Sequence, residues 1–153
     1  MIYSTWYAFA ALKTDGSVVT WGNSRAGGNS YVNDGHPNYN NITNVSSSLS
    51  SGVVVVYSAN YAFAALKTDG SVVAWGAPSM GGDCSMVQAE LAADVQSIYG
   101  NDIAFAAVKI DSDAVVNYGQ GHSKFGGNCR NVKAQLVHGV HLLFRKGFFS
   151  TEG

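Results

Sequence analysis

Apolar and polar positions along this chain fall into short runs that recur. "YAFAALKTDGSVVTWG" (Tyr7 to Gly22) returns as "YAFAALKTDGSVVAWG" (Tyr61 to Gly76), with one difference in sixteen positions. A third version, "IAFAAVKIDSDAVVNYG", runs from Ile103 to Gly119. "AFAALK" is an apolar run of strand length. Asp-Gly in "TDGS" is a strong short-range hairpin signal. "SVVTW" and "SVVAW" are β-branched and aromatic return strands. A Gly-Gly pair follows each hairpin, at Gly27-Gly28, Gly81-Gly82 and Gly126-Gly127. Then comes a further predicted strand with its own signature: "LSSGVVVVY" (Leu49 to Tyr57), "LAADVQSIY" (Leu91 to Tyr99) and "LVHGVHLLF" (Leu136 to Phe144). The segment before it, such as "MVQAELAAD" (Met86 to Asp94), reads as a short helical turn.

Repeats of this kind predict an all-β chain of stacked units, each of three or four short antiparallel strands and about 45 residues. The units are expected at about 1–48, 49–90 and 91–135, with a partial unit at 136–153, in a single repeat domain over 1–153. An insert at 29–51, rich in Asn and Ser, lengthens the first unit and reads as a long surface loop. In the third unit "IDSDAVV" has one residue more than "TDGSVV", and Asp113 stands where Gly16 and Gly70 stand. That predicts a wider and less stable hairpin, and Tyr118 there replaces Trp21 and Trp75.

Composition narrows the function classes. Charged residues are 12% of the chain and the formal net charge is −1. Bulk electrostatics therefore offers nothing to nucleic acid or to an anionic membrane surface. The most apolar run, "GVVVVYSANYAFAAL" (Gly52 to Leu66), is too short for a membrane helix and breaks into two strands. No basic stretch followed by an apolar core marks a signal peptide at the N-terminus. The compartment stays unknown. Cys84 and Cys129 occupy the same place in successive repeats and are expected as free thiols, which favours an intracellular site.

Candidate chemistry is thin. There is no G-x-S-x-G elbow and no phosphate-binding loop, and "WGNSRAGG" lacks the G-K-[ST] ending. The histidines, His36, His122, His138 and His141, sit in unlike contexts, and no spacing suits zinc. Asp15, Asp69 and Asp111 recur, but the hairpin turn accounts for them, since Asp favours that backbone. Two glycosylation sequons, at Asn41 and Asn44, fall in the Asn/Ser insert. The recurring aromatics Tyr7, Phe9, Trp21, Tyr61, Phe63, Trp75, Phe105 and Tyr118 read as core between units, with a sugar or aromatic-cage site as the other reading.

"FAALKTDGSVVTWGNSRAGG" resembles the repeat of the regulator of chromosome condensation family. That repeat also orders an apolar strand, a D-G turn, a V-x-x-W-G strand and a Gly-rich loop. The units are similar to those of propeller-type beta-lactamase inhibitor proteins too. The resemblance covers about residues 1–144 and implies a β-propeller, here about three blades and so a partial ring. A β-solenoid-like stack is the alternative. Two features depart from the family pattern: no His precedes the second strand, and Gly-Gly stands where Gly-Gln is usual.

These readings converge on a non-enzymatic scaffold for protein–protein interaction, with no cofactor and no metal. Its partners are expected to be a protein, or further copies through open sheet edges. Three alternatives stay open: a structural subunit of a larger complex, a guanine-nucleotide exchange regulator of a small GTPase, and an enzyme-inhibitory binding protein. The scaffold hairpins are nearly constant while the loops after Trp-Gly vary: "NSRA", "APSM" and "QGHSKF". A fixed frame with varied loops is how binding surfaces are built. On that ground Arg25, Met80, His122, Lys124 and Phe125 are the candidate binding residues.

Overall fold

Each Asp-Gly pair closes a tight antiparallel hairpin. In the computed structural model, which describes residues 1–32, 43–110 and 114–119, Gly16 and Gly70 share a φ of +77° that a side chain would resist. The Asp15 carboxylate accepts from the Ser17 amide at 2.9 Å and from its hydroxyl at 2.6 Å, and Asp69 and Ser71 repeat both distances. For each Asp the Ser hydroxyl is the main reason that its carboxyl lies below the usual range. These carboxylates are exposed turn-formers. Asp111 and Asp113 lie outside the described residues.

The hairpins belong to three antiparallel meanders. In the first, β1 (Ile2–Ser4), β2 (Ala8–Leu12) and β3 (Val18–Gly22) lie side by side in chain order. Two further strands, β4 (Tyr31–Val32) and β5 (Thr43–Asn44), pair within the insert. The second meander is β6 (Val53–Ser58), β7 (Ala62–Lys67) and β8 (Val72–Gly76), and β4 joins its edge through one parallel pairing, Val32 with Gly76. The third is β9 (Val95–Gly100), β10 (Ala104–Lys109) and β11 (Val115–Gly119). The insert is thus more than a loop, because two short strands lie within it. Short 3-10 turns stand at Ser24–Ala26, Pro78–Met80 and Ser85–Val87, the last overlapping the start of the segment, Met86 to Asp94, expected to be helical.

Register is constant across the units. Phe9 pairs with Trp21, Phe63 with Trp75 and Phe105 with Tyr118. The first strands β1, β6 and β9 are neighbours in space, so they form the inner side of the array. Antiparallel meanders set face to face around inner strands are propeller-type blades; a solenoid would stack parallel rungs. Among the described residues the fold is therefore all-β, with three propeller-type blades.

Alternation decides which face of each blade meets which neighbour. Ala8 and Ala10 of the first blade pack with Phe63, Ala65 and Trp75 of the second, together with Val53, Val56 and Leu49. Ala62, Ala64 and Leu66 of the second pack with Phe105, Ala107 and Tyr118 of the third. One side of a blade is large and aromatic, and the side it meets is small. Gly27 is small for the same reason: a Cβ there would sit 2.6 Å from the Phe63 ring, and one at Gly81 would sit 2.7 Å from the Phe105 ring.

The connecting segments clip each blade to the next. Val18 N–H donates to Leu49 O at 2.8 Å, and Val72 N–H to Leu91 O at 2.9 Å. Val53 N–H reaches Gly16 O, and Val95 N–H reaches Gly70 O, both at 3.0 Å. The Leu of the signature is buried, as Leu49 and Leu91. Its Gly-or-Asp position has positive φ, +74° at Gly52 and +64° at Asp94. This explains the alternation, since Asp is among the few side chains that tolerate that region.

Tyr118 marks where the third blade departs. Trp75 Nε1–H donates to Gly27 O at 3.0 Å, bonding one blade to the loop of the previous one. The Tyr118 hydroxyl, in the equivalent place, is buried with no partner among the described residues, and burial raises its pKa well above the ordinary value. Tyr118→Phe should therefore be neutral or stabilising by up to about 1 kcal/mol, since it removes an unsatisfied buried group without a cavity. A urea denaturation midpoint that falls by more than this would show a hydrogen bond at that hydroxyl.

Candidate functional site

The strand directions place two kinds of loop at one end of the array. β1 ends, β2 begins and β3 ends there, so the β1–β2 turn and the loop after Trp-Gly are neighbours. Backbone bonds join them: Asn23 N–H to Tyr7 O at 2.8 Å, and Ala77 N–H to Tyr61 O at 3.0 Å. Thr5 adds a side-chain tie. Its hydroxyl lies 3.2 Å from Ala26 O and accepts the Ala8 N–H at 3.0 Å. In the third blade Asn101 takes the capping role, accepting from Ile103 and Ala104 N–H at 3.0 and 2.8 Å.

The three turns also bond to one another. Trp6 N–H donates to Asn60 O at 3.0 Å, and Asn60 N–H to Asp102 O at 2.9 Å. This ladder fixes the inner rim. It borders an open polar cleft of about 360 Å³ whose lining includes Ser4, Thr5, Trp6, Ser58, Asn60 and Asp102.

Beside the cleft stands an aromatic group. Trp6 lies 5.6 Å from Tyr61 and 6.4 Å from Tyr7, and Tyr7 lies 5.6 Å from Tyr61, all between ring centroids. Trp6 is 64% exposed and Tyr7 55%. Rings held together in water make a rigid apolar platform that orders few rotamers on binding.

Of the expected binding residues, Arg25 and Met80 lie on this same end. Arg25 sits in the 3-10 turn capped by the Asn23 side chain, which accepts the Arg25 N–H at 2.9 Å, and it is exposed. Met80 ends the equivalent turn of the second blade and is half-buried. His122, Lys124 and Phe125 lie outside the described residues. The loops after Trp-Gly in the first two blades stand at the same end of the array.

The aromatics divide. Phe63, Trp75, Phe105 and Tyr118 are core between blades, as the repeat implies. Tyr7, Phe9 and Trp21 are exposed, because the first blade has no blade ahead of it among the described residues. Trp6 was not singled out by the repeat at all. The available signal was its position: Trp6 stands where Asn60 and Asp102 stand, an aromatic at a turn that is otherwise polar.

Cys84 is a free thiol, buried, and burial pushes its pKa up, so it is protonated and inert at neutral pH. Cys129 lies outside the described residues. Among the described residues no helix is long and apolar enough to cross a membrane.

No family model and no curated protein matches the chain. Solved structures do. The chain is similar to the CRINKLY WD40 ectodomain of the Arabidopsis thaliana receptor kinase ACR4, at 16% identity and a TM-score of 0.44, over 77% of this chain and 37% of that one. It is also similar to the entire ectodomain of the Physcomitrella patens receptor kinase CR4, at 15% identity and a TM-score of 0.46, over 77% of this chain and 28% of that one. The chain thus spans well under half the length of either.

Proposed function

We propose that the chain is a non-enzymatic interaction module built from repeats of the regulator of chromosome condensation type, and that it binds an extended protein segment on the end that carries Trp6, Tyr7 and Tyr61. The observation that carries this reading is the three-ring platform, with Trp6 and Tyr7 exposed and Tyr61 half-buried, beside a polar cleft whose walls are fixed by backbone bonds between three blades. The rings supply apolar contact, and Asn60 and Asp102 supply groups that can pair with a peptide backbone or a basic side chain. Arg25 and Met80, on the neighbouring loops, are placed to vary the specificity.

The test is selection of binders from a displayed random-peptide library, followed by calorimetry on the selected peptides. Trp6→Ala and Tyr61→Ala should each weaken binding by about 30-fold or more, the usual size of an interfacial aromatic anchor. Far-ultraviolet circular dichroism of Trp6→Ala should not change, because Trp6 is exposed. Peptides that bind equally well to both variants would place the interaction elsewhere. Binding to a glycan array, with no selected peptide, would replace the protein partner by a sugar.

A further inference from the structure

The inner rim carries three unlike side chains on equivalent backbone. Trp6, Asn60 and Asp102 hold the same place in the β1–β2, β6–β7 and β9–β10 turns. The bonds from Trp6 N–H to Asn60 O and from Asn60 N–H to Asp102 O set them side by side. An indole, an amide and a carboxylate therefore follow one another along the rim, and all three residues line the polar cleft. Where the first two blades have Ser4 and Ser58, the third has Gly100. Its missing side chain leaves the lining beside Asp102 open, and a Cβ there would press on Ser58 O at 3.2 Å.

Asp102 is exposed and brings the only formal charge among the residues that line the cleft. Among the described residues no cation pairs with it. Lys13 turns to Asp15, Lys67 to Ser48 O and Lys109 to Glu90 O, all at the other end of the array. The N-terminal ammonium is at that end too, on Leu12 O. Trp6 is braced by Tyr61 at 55° and by Tyr7 at 77°. Neither ring stacks parallel on the indole, which stays exposed.

We infer that the cleft reads an arginine of the bound segment, with the guanidinium laid on the Trp6 indole and its N–H edge turned to the Asp102 carboxylate. This rests on the peptide-binding reading above and narrows it to one anchor residue. Indole and carboxylate ask for different properties, and a guanidinium has both. It is planar and weakly hydrated, so it stacks on an aromatic face. Its donors lie in its own plane, where a carboxylate accepts two of them in parallel. The Asn60 amide oxygen, between the two, can accept a further N–H. A lysine ammonium is compact and strongly hydrated, so it meets Asp102 but gains less on the indole. An apolar anchor would use the rings and strip water from Asp102 with no partner in return. An acidic anchor would be repelled by the carboxylate.

Peptides selected on the full chain test this, and they are expected to share an arginine. Calorimetry should show binding about 10-fold weaker when that arginine becomes lysine, and about 30-fold weaker when it becomes glutamine. Asp102→Asn should weaken the arginine peptide by about 10-fold and flatten the fall in affinity with added sodium chloride. Its circular dichroism should match the parent, because Asp102 is exposed. The glutamine peptide should bind the parent and Asp102→Asn within about twofold of each other, since the coupled partner is gone. Trp6→Ala should also cost the arginine peptide more than the glutamine peptide. Selected peptides without a shared arginine would overturn the inference and leave the interaction module standing. So would an arginine peptide that binds Asp102→Asn as tightly as the parent, or a lysine peptide that binds as tightly as the arginine one. If no peptide binds at all, both readings fall. Should Asp102→Asn not fold, the substitutions in the peptide still decide.

Discussion

Trp75→Ala is expected to cost about 3–5 kcal/mol of stability, as for other fully buried aromatics, whereas Trp21→Ala costs less than about 1 kcal/mol in the isolated chain. The two residues stand at the same place in nearly identical sixteen-residue stretches, so local sequence cannot separate them. Their surroundings do. Trp75 is fully buried between blades, stacked on Phe63, and its indole N–H holds the Gly27 carbonyl. Removing it leaves a cavity against Ala8, Ala10 and Ala26 and a carbonyl without its donor. Trp21 is exposed and loses only part of its contact with Phe9. Trp75→Phe separates the two contributions. It keeps most of the ring but drops the donor, and it should cost about 1–3 kcal/mol. Urea denaturation followed by circular dichroism reads all three. Equal losses at Trp75 and Trp21 would mean that the blades do not share a core.

How much of this was written in the chain depends on what each residue answers to. The hairpins were legible, because Asp-Gly turns, alternating apolar residues and aromatic pairs act within about ten residues of one another. The Leu-x-x-Gly/Asp signature was legible as a pattern but not as a cause. Its cause is a positive φ and a backbone bond to the previous blade, which only the assembled array shows. The fate of Phe9 and Trp21 was not legible. Repetition assigned them to a core, and their burial depends on whether another blade stands ahead. The insert was read as loop from its Asn and Ser content, yet Tyr31–Val32 and Thr43–Asn44 pair as strands, because a tertiary neighbour overrode weak local preference. For the site, the reasoning from varied loops named Arg25 and Met80, which stand at the same end of the array as the aromatic group. It did not name Trp6, on which two tyrosines of two different blades converge.

The glycines make the sharpest test of this distinction, and Gly76→Ala should be among the most damaging single changes in the chain. Gly76 has a φ of +109°, and a Cβ there would lie 2.5 Å from Tyr61 O and 2.8 Å from the Ala62 Cα. Both are backbone atoms of the paired strand and cannot rotate aside. Gly22 and Gly119 repeat the arrangement, with φ of +112° and +126° and the nearest backbone atom at 2.6 and 2.7 Å. The Gly after each Trp or Tyr is therefore required by close approach of the strands. Backbone strain and forced separation together should cost about 3 kcal/mol or more. Gly52→Asn is the counterpart. Its φ is +74°, but a Cβ would meet only Thr68 Oγ1 at 3.4 Å and the flexible Lys67 Cε at 3.5 Å. Asp94 already occupies the corresponding position at +64°. Asn tolerates this region, and it also narrows the unfolded ensemble relative to Gly, so the change should stay within about 1 kcal/mol. Denaturation midpoints for the two variants decide between the causes. A large loss at Gly76 with little at Gly52 means contact between strands sets the first glycine and backbone angle alone sets the second. Similar losses at both would mean that angle alone governs each, and that the close approach at Gly76 relaxes at little cost.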